Sequence, residues 1–287
     1  MGLDVGGLAR VAVVQVGIVQ VVVVLAAVVL AGVVLAVDLA VDPAAVQPVA
    51  VGRRGAEVVV AEGPLIVAID GPSGVGKSTV ARQLAERLGL EVLDTGAMYR
   101  AMGLEVVEST VDPNDRQGVL DLLEGTSVDV RPGPEGLQVL LDGEPVGDRI
   151  RTPEVSETTS LISTYPEVRR RMVHLQRQVA ERQGAVVEGR DIGTVVFPNT
   201  PHKFFLRADV AIRAERRRLE LAARGREKSL EEVQRELARR DERDRSREDS
   251  PLLDDGTYHR VDTSDKAPET VVDEMLAAIL QGGTEGP

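Results

Sequence analysis

The apolar positions of the chain change period several times, and each change predicts an element. Leu65-Ile66-Val67-Ala68-Ile69-Asp70 is a short apolar run, the pattern of a strand buried on both faces. After it, Val80, Ala81, Leu84, Ala85 and Leu88 recur at helical spacing, and Gly89 is placed to end the helix. Further strands are predicted at Leu90 to Asp94, Ala185 to Glu188, Lys203 to Arg207 and Tyr258 to Asp262. Helices are predicted over 113–124, 153–163, 166–183, 209–224, 229–247 and 268–280. Val128, Val130, Leu137, Val139 and Leu141 mostly alternate with polar residues on either side of Pro132 to Gly136, so 127–149 reads as a hairpin. Strands alternating with helices predict an α/β fold with a parallel central sheet, and the hairpin opens an inserted subdomain.

The first 60 residues break this pattern. From Val11 to Val37 there is no charge, and nearly every residue is Val, Ala or Leu. A transmembrane helix needs ~20 apolar residues, so the length qualifies. For a signal peptide the apolar core is too long and lacks a basic leader. Arg10, Arg53 and Arg54 are too few to orient a span. A dispensable low-complexity extension, disordered or an isolated helix, is preferred to an anchor over 1–62. Asp42-Pro43, Gln47-Pro48 and Gly52 to Gly55 read as its linker. A single enzyme domain then fills 63–283. A cytoplasmic monomer is expected, with tethering through 11–37 as the alternative.

Composition narrows the chemistry. The 287 residues carry a net charge of −12 and only 2% aromatics, which argues against a nucleic-acid partner. With no cysteine there is no disulfide, thiol catalysis or thiolate metal site. Three histidines make a His-rich metal centre improbable. Lysine occurs only at 77, 203, 228 and 266, so arginine does nearly all the cationic work.

One of those lysines sits in the most informative stretch. Gly71-Pro72-Ser73-Gly74-Val75-Gly76-Lys77-Ser78, followed by Thr79, fits G-x-x-x-x-G-K-[ST] between a strand and a helix. Glycines let successive N–H groups turn inward as an anion nest, and the helix start adds its positive dipole end. Lys77 is expected at the β- and γ-phosphates and Ser78 on Mg²⁺. A nucleoside triphosphate with Mg²⁺ is therefore the expected ligand of this loop.

The acceptor is suggested by arginines. Tyr99-Arg100 and Arg190-Asp191 each follow a predicted strand, and ligands bind beyond the carboxyl ends of such strands. Several guanidinium groups about a second pocket suit an anionic acceptor such as a nucleoside monophosphate. The run Arg239 to Arg247 reads either as a solvated helix face or as a mobile lid supplying transition-state charge. Asp191 and Asp244 read either as acceptors for a base or ribose donor or as structural caps.

Five motifs together resemble bacterial cytidylate kinase, from about Leu65 to Leu280. They are IDGPSGVGKST (69–79), DTGAMYR (94–100), IRTPEVSETTSLIS (150–163), EGRDIGTVVFP (188–198) and RRDERDRSREDSPL (239–252). The resemblance implies a nucleoside-monophosphate-kinase fold that transfers the ATP γ-phosphoryl to CMP or dCMP. It makes 127–183 the CMP-binding insert and 225–250 the lid region. Gly74, Gly76, Lys77, Ser78 and Thr79 become the phosphate cradle. Thr95, Arg169, Asp191 and Arg247 become cytosine contacts, and Ser160, Arg240 and Asp244 sugar contacts. Arg100 and Arg190 become clamps on the CMP phosphate, and Arg243 and Arg245 lid residues toward ATP. Residues 1–60 have no counterpart in the family pattern. Two other readings remain: another small-molecule P-loop kinase, or a P-loop switch at a membrane. The N-K-x-D base-reading motif usual in GTPase switches is absent from the sequence.

Overall fold

In the computed structural model the described residues are 49–54, 57–134, 136–223 and 225–281. The apolar run 11–37 lies outside them. No helix among the described residues is long and apolar enough to cross a membrane.

The stretch expected to be linker is partly strand. β1 (Val49–Arg54) and β2 (Glu57–Pro64) pair antiparallel, with Gly52 opposite Val59. The valine-rich composition on both sides of Gly52 to Gly55 favours strand, and it outweighed the glycine punctuation.

The central sheet is built from β3 (Ile66–Asp70), β4 (Val92–Asp94), β8 (Ala185–Gly189), β9 (His202–Arg207) and β10 (His259–Asp262). Every pair is parallel, in the order β10-β9-β3-β8-β4. Both faces are covered, as a parallel sheet requires. Period-two alternation divides the strands between two cores. Ala68, Ala185 and Val187 face one cluster, and Val67, Ile69 and Val186 face the other. The second cluster is closed by α1 (Lys77–Leu88) and α8 (Pro268–Gln281). The first is closed by α2 (Thr95–Glu108), α3 (Arg116–Glu124), α4 (Pro153–Ile162) and α5 (Pro166–Gln183).

The inserted hairpin has a third strand. β5 (Val128–Gly133) pairs with β6 (Gly136–Leu141), and β6 pairs with β7 (Glu144–Pro145). Asp142-Gly143, both at positive φ, makes the two-residue turn between β6 and β7. Finally α6 (Val210–Ala223) and α7 (Leu230–Ser246) form a helical hairpin with its own small apolar cluster of Ala214, Leu221, Val233 and Leu237. A Ser229–Glu232 capping box starts α7.

Register does the positioning. Asp70 lies opposite Gly189, and Glu188 lies opposite Asp94. Three strands therefore release their chains side by side at one edge of the sheet.

Candidate active site

β3 releases the glycine loop. Gly71 has φ +149°, and a Cβ there would lie 2.4 Å from the Leu206 carbonyl oxygen, so only glycine fits. Gly76, at φ 98°, precedes α1 and offers no side-chain cap. The first N–H groups of α1 are thus left for an anion. Lys77 is folded back on its own loop, donating to the carbonyls of Gly71 (2.8 Å) and Pro72 (2.9 Å). Burial, with Arg190 nearby, lowers its pKa well below the usual lysine value. Ser78 Oγ donates to Glu188 Oε2 at 3.0 Å.

Glu188 is the penultimate residue of β8 and is buried. Burial and then the neighbouring Asp94 carboxylate raise its pKa to about 7. Sequence reasoning took Glu188 only as the end of a strand. The available signal was that the adjacent strands β3, β8 and β4 all carry acids at or near their carboxyl ends: Asp70, Glu188 and Asp94.

β4 releases the second loop. Asp94 caps α2 by accepting from Ala97 N–H and also binds Arg100 Nη2 at 3.2 Å. Thr95 Oγ1 donates to the Glu188 carbonyl at 2.7 Å. β8 releases the third loop, which carries Arg190 and Asp191 into a π-type turn over Ile192–Val196 rather than an open loop. Arg190 Nε donates to Asp244 Oδ2 on α7 at 2.8 Å, and Arg247 pairs with the other oxygen of Asp244. Asp244 is held below the usual carboxylate range: burial raises its pKa, but Arg190, Arg247 and Arg240 outweigh that. Arg240 is lowered to about 10 by burial and by Arg190. Asp191 is buried and pairs with Arg169 of α5, whose guanidinium lies 5.3 Å from the Tyr99 ring centroid.

These groups line one cleft of about 1200 Å³. Ser73, Gly74, Gly76, Lys77, Ser78 and Thr79 line its glycine-loop side. Thr95, Tyr99, Arg100, Ser160, Arg169, Arg190, Asp191, Arg240, Asp244 and Arg247 line the rest. Tyr99 Oη and the Nε atoms of Arg100, Arg169 and Arg247 are buried there without a hydrogen-bond partner. Buried donors of this kind point to a polar ligand. Gly71, Pro72 and Val75 shape the loop from behind and do not line the cleft. Arg243 and Arg245, expected toward ATP, also lie outside the lining. Arg243 Nη1 instead donates to Ser160 Oγ at 3.1 Å, on the insert side, and Arg245 is exposed. Helical spacing explains Arg245: Arg240 and Asp244 share one face of α7, and Arg245 falls on another.

A family model described as Cytidylate kinase matches residues 67–281. The chain belongs to the cytidylate kinase family. It is 47% identical over 213 residues to a protein named Cytidylate kinase from Carboxydothermus hydrogenoformans, covering 74% of this chain and 96% of that protein. A second such protein, from Geobacillus kaustophilus, is 45% identical over 213 residues, with 74% and 95% covered. A third, from Pelotomaculum thermopropionicum, is 46% identical over 220 residues, with 76% and 97% covered. The cytidylate kinase match begins one residue into β3 and takes in every side chain of the cleft. The central parallel sheet with helices on both faces is the α/β kinase architecture expected of it.

Proposed function

We propose that the chain transfers the γ-phosphoryl group of ATP to CMP or dCMP, releasing ADP and CDP or dCDP. The observation that carries this reading is one cleft with an uncapped glycine loop and Lys77 on one side and Arg100, Arg190, Arg240 and Arg247 on the other. An oxygen of the CMP phosphate attacks the γ-phosphorus. The bond from that phosphorus to the β–γ bridging oxygen breaks, and ADP leaves with the electron pair. The attacking oxygen is already anionic, so no general base is required.

Lys77 exchanges its own loop carbonyls for the β- and γ-phosphates. Arg100 and Arg190 hold the acceptor phosphate, and their charges offset the repulsion between two anions brought together. Asp191 accepts from the cytosine N4 amino group, with Thr95, Arg169 and Arg247 around the ring. Arg169 fixes the Asp191 carboxylate, so a base that presents an acceptor there meets an unpaired charge. Ser160, Arg240 and Asp244 meet the sugar, and Tyr99 backs Arg169. Arg243 and Arg245 act, in this reading, only after α7 moves.

Mg²⁺ fits the donor side. Ser78 Oγ already sits beside a buried carboxylate whose raised pKa marks a place short of positive charge. Ser78, with Glu188 behind it, would hold the ion together with phosphate oxygens and water, since no cluster of protein ligands exists among the described residues. Bound there, the ion would offset the negative charge of the triphosphate during transfer. Glu188 orients Ser78 and supplies the local negative charge.

A monomer is part of the same proposal. The cytoplasm, where ATP and CMP are held as solutes, belongs to the same proposal. The insert (127–183) and α7 with its flanking loops (225–250) are its acceptor-binding and lid parts. The test is chromatographic. ATP and CMP should give ADP and CDP in equal amounts, and Lys77→Ala should lower kcat by about 10³ or more while the circular dichroism is unchanged. Normal turnover in Lys77→Ala would remove it from the reaction.

A further inference from the structure

We propose that Asp70 and Tyr258 are positioning residues that together set the Arg190–Asp191 turn, and so the grip on the acceptor. The inference rests on the acceptor site proposed above. Asp70 is the last residue of β3 and immediately precedes the glycine loop. Its side chain does not enter the cleft. Asp70 Oδ1 accepts from Ile192 N–H at 3.0 Å, and Oδ2 accepts from Gly193 N–H at 2.8 Å and from Tyr258 Oη at 2.8 Å. Those N–H groups belong to the residues directly after Asp191. One carboxylate thus fixes the turn at the point where the chain leaves the cleft.

The cost of this arrangement indicates what it is for. Asp70 is fully buried, and among the described residues no lysine or arginine forms a salt bridge with it. A buried, unpaired carboxylate is expensive. A turn that needed only its backbone groups satisfied would not require one. What the carboxylate adds is geometry: three donors from two directions converge on two oxygens. Tyr258, just before β10, completes the clamp from the other end of the chain. Its ring lies so close to Gly193 that a Cβ there would stand 2.8 Å from the ring. Phe205 braces the ring edge-on at 5.7 Å.

The charge environment gives the clamp a pH dependence. Burial raises the Asp70 pKa to about 6, against the hydrogen bonds from Gly193, Ile192 and Tyr258. The groups facing it are Asp191 in the turn, which pushes it up, Tyr258 from the β10 side, and Lys77 from α1. Below about pH 6 the protonated acid presents a donor where the turn needs an acceptor.

The experiment measures kcat and KM for CMP and ATP, and the CMP-over-UMP ratio of kcat/KM, in the wild type, Asp70→Asn and Tyr258→Phe. The range is about pH 5.5 to about pH 8. Asp70→Asn should raise the KM for CMP by about tenfold or more and lower the CMP-over-UMP ratio, with KM for ATP within about threefold. Tyr258→Phe keeps the ring and should shift the same quantities the same way, by about threefold. The CMP phosphate itself titrates near pH 6, so the readout is the wild-type profile divided by the Asp70→Asn profile. That quotient should fall on the acid side with an apparent pKa near 6. A flat quotient, equal changes in the two KM values, or lowered Tm with kinetics intact would each overturn the inference. If Asp70→Asn does not fold, unchanged CMP kinetics in Tyr258→Phe overturns it alone. A wild type that fails to phosphorylate CMP would instead defeat the reading beneath it.

Discussion

Glu188 shows how one buried acid can be unfavourable in the empty fold and useful in the working one. Its folded pKa, about 7, lies above the ordinary glutamate value. The folded protein therefore holds that proton more tightly than the unfolded chain. The stability tied to it is present at low pH and is lost as pH rises through the folded value. Above about pH 7 the ionised group strains the ligand-free protein, and bound cation would relieve it. Glu188→Gln, a fixed neutral mimic, should raise the melting temperature of the ligand-free protein by roughly 5 °C at about pH 8 and have no such effect near pH 5. The same variant should lose most of its activity. Differential scanning calorimetry at both pH values checks the sign; a variant less stable than wild type at the higher pH would contradict the assignment.

Two close approaches between elements hold the acceptor side together. α2 carries Thr95, Tyr99 and Arg100 past α4, which carries Ser160. They meet at Gly103, where a Cβ would stand 2.1 Å from Thr159 Oγ1. Gly103→Ala should push α4 away and carry Ser160 with it. Because a shift near 1 Å can cost up to ~10² in rate, KM for CMP should rise by about tenfold, with ATP affected by less than about threefold. Equal effects on both substrates would deny α4 this role. On the other side, α6 and α7 are tied to the body by arginine hydrogen bonds and by the Arg190–Asp244 ion pair. Arg213 of α6 is buried, donates to the Ser73 carbonyl at 3.0 Å and pairs with Asp241 of α7 at 2.7 Å. The small separate cluster beneath these helices suits an element that moves as a unit.

At the scale of the molecule, the elements were legible and their juxtapositions were not. Local period marks most strands and helices, so β3 to β6, β8 to β10, α1 and α3 to α8 lie within a few residues of expectation, whereas α2 had no predicted bounds. β7 hid because it is two residues long, although Asp142-Gly143 announced its turn. The placement of β8 between β3 and β4 is a long-range pairing with no local signature, and it is what brings Glu188 to Ser78 and Gly189 to Asp70. For the same reason the partners of Asp70 and Arg213 could not be read from spacing. Arg100, Arg190, Arg240 and Arg247 were legible as site candidates because the motifs supply them in order. The relatives named above match 213 to 220 residues of this chain, and the family match opens at residue 67. A chain beginning at Gly63 should therefore keep its kcat/KM for CMP within about twofold of the full chain; a large loss would give residues 1–62 a part in the enzyme. The most direct measurement is a panel of kcat/KM values for CMP, dCMP, UMP and AMP with ATP and Mg²⁺. CMP and dCMP should exceed UMP and AMP by at least ~10², because in the proposed site Asp191 accepts from the base amino group. A preference for UMP or AMP, or nucleotide binding with no transfer to any monophosphate, would contradict the account.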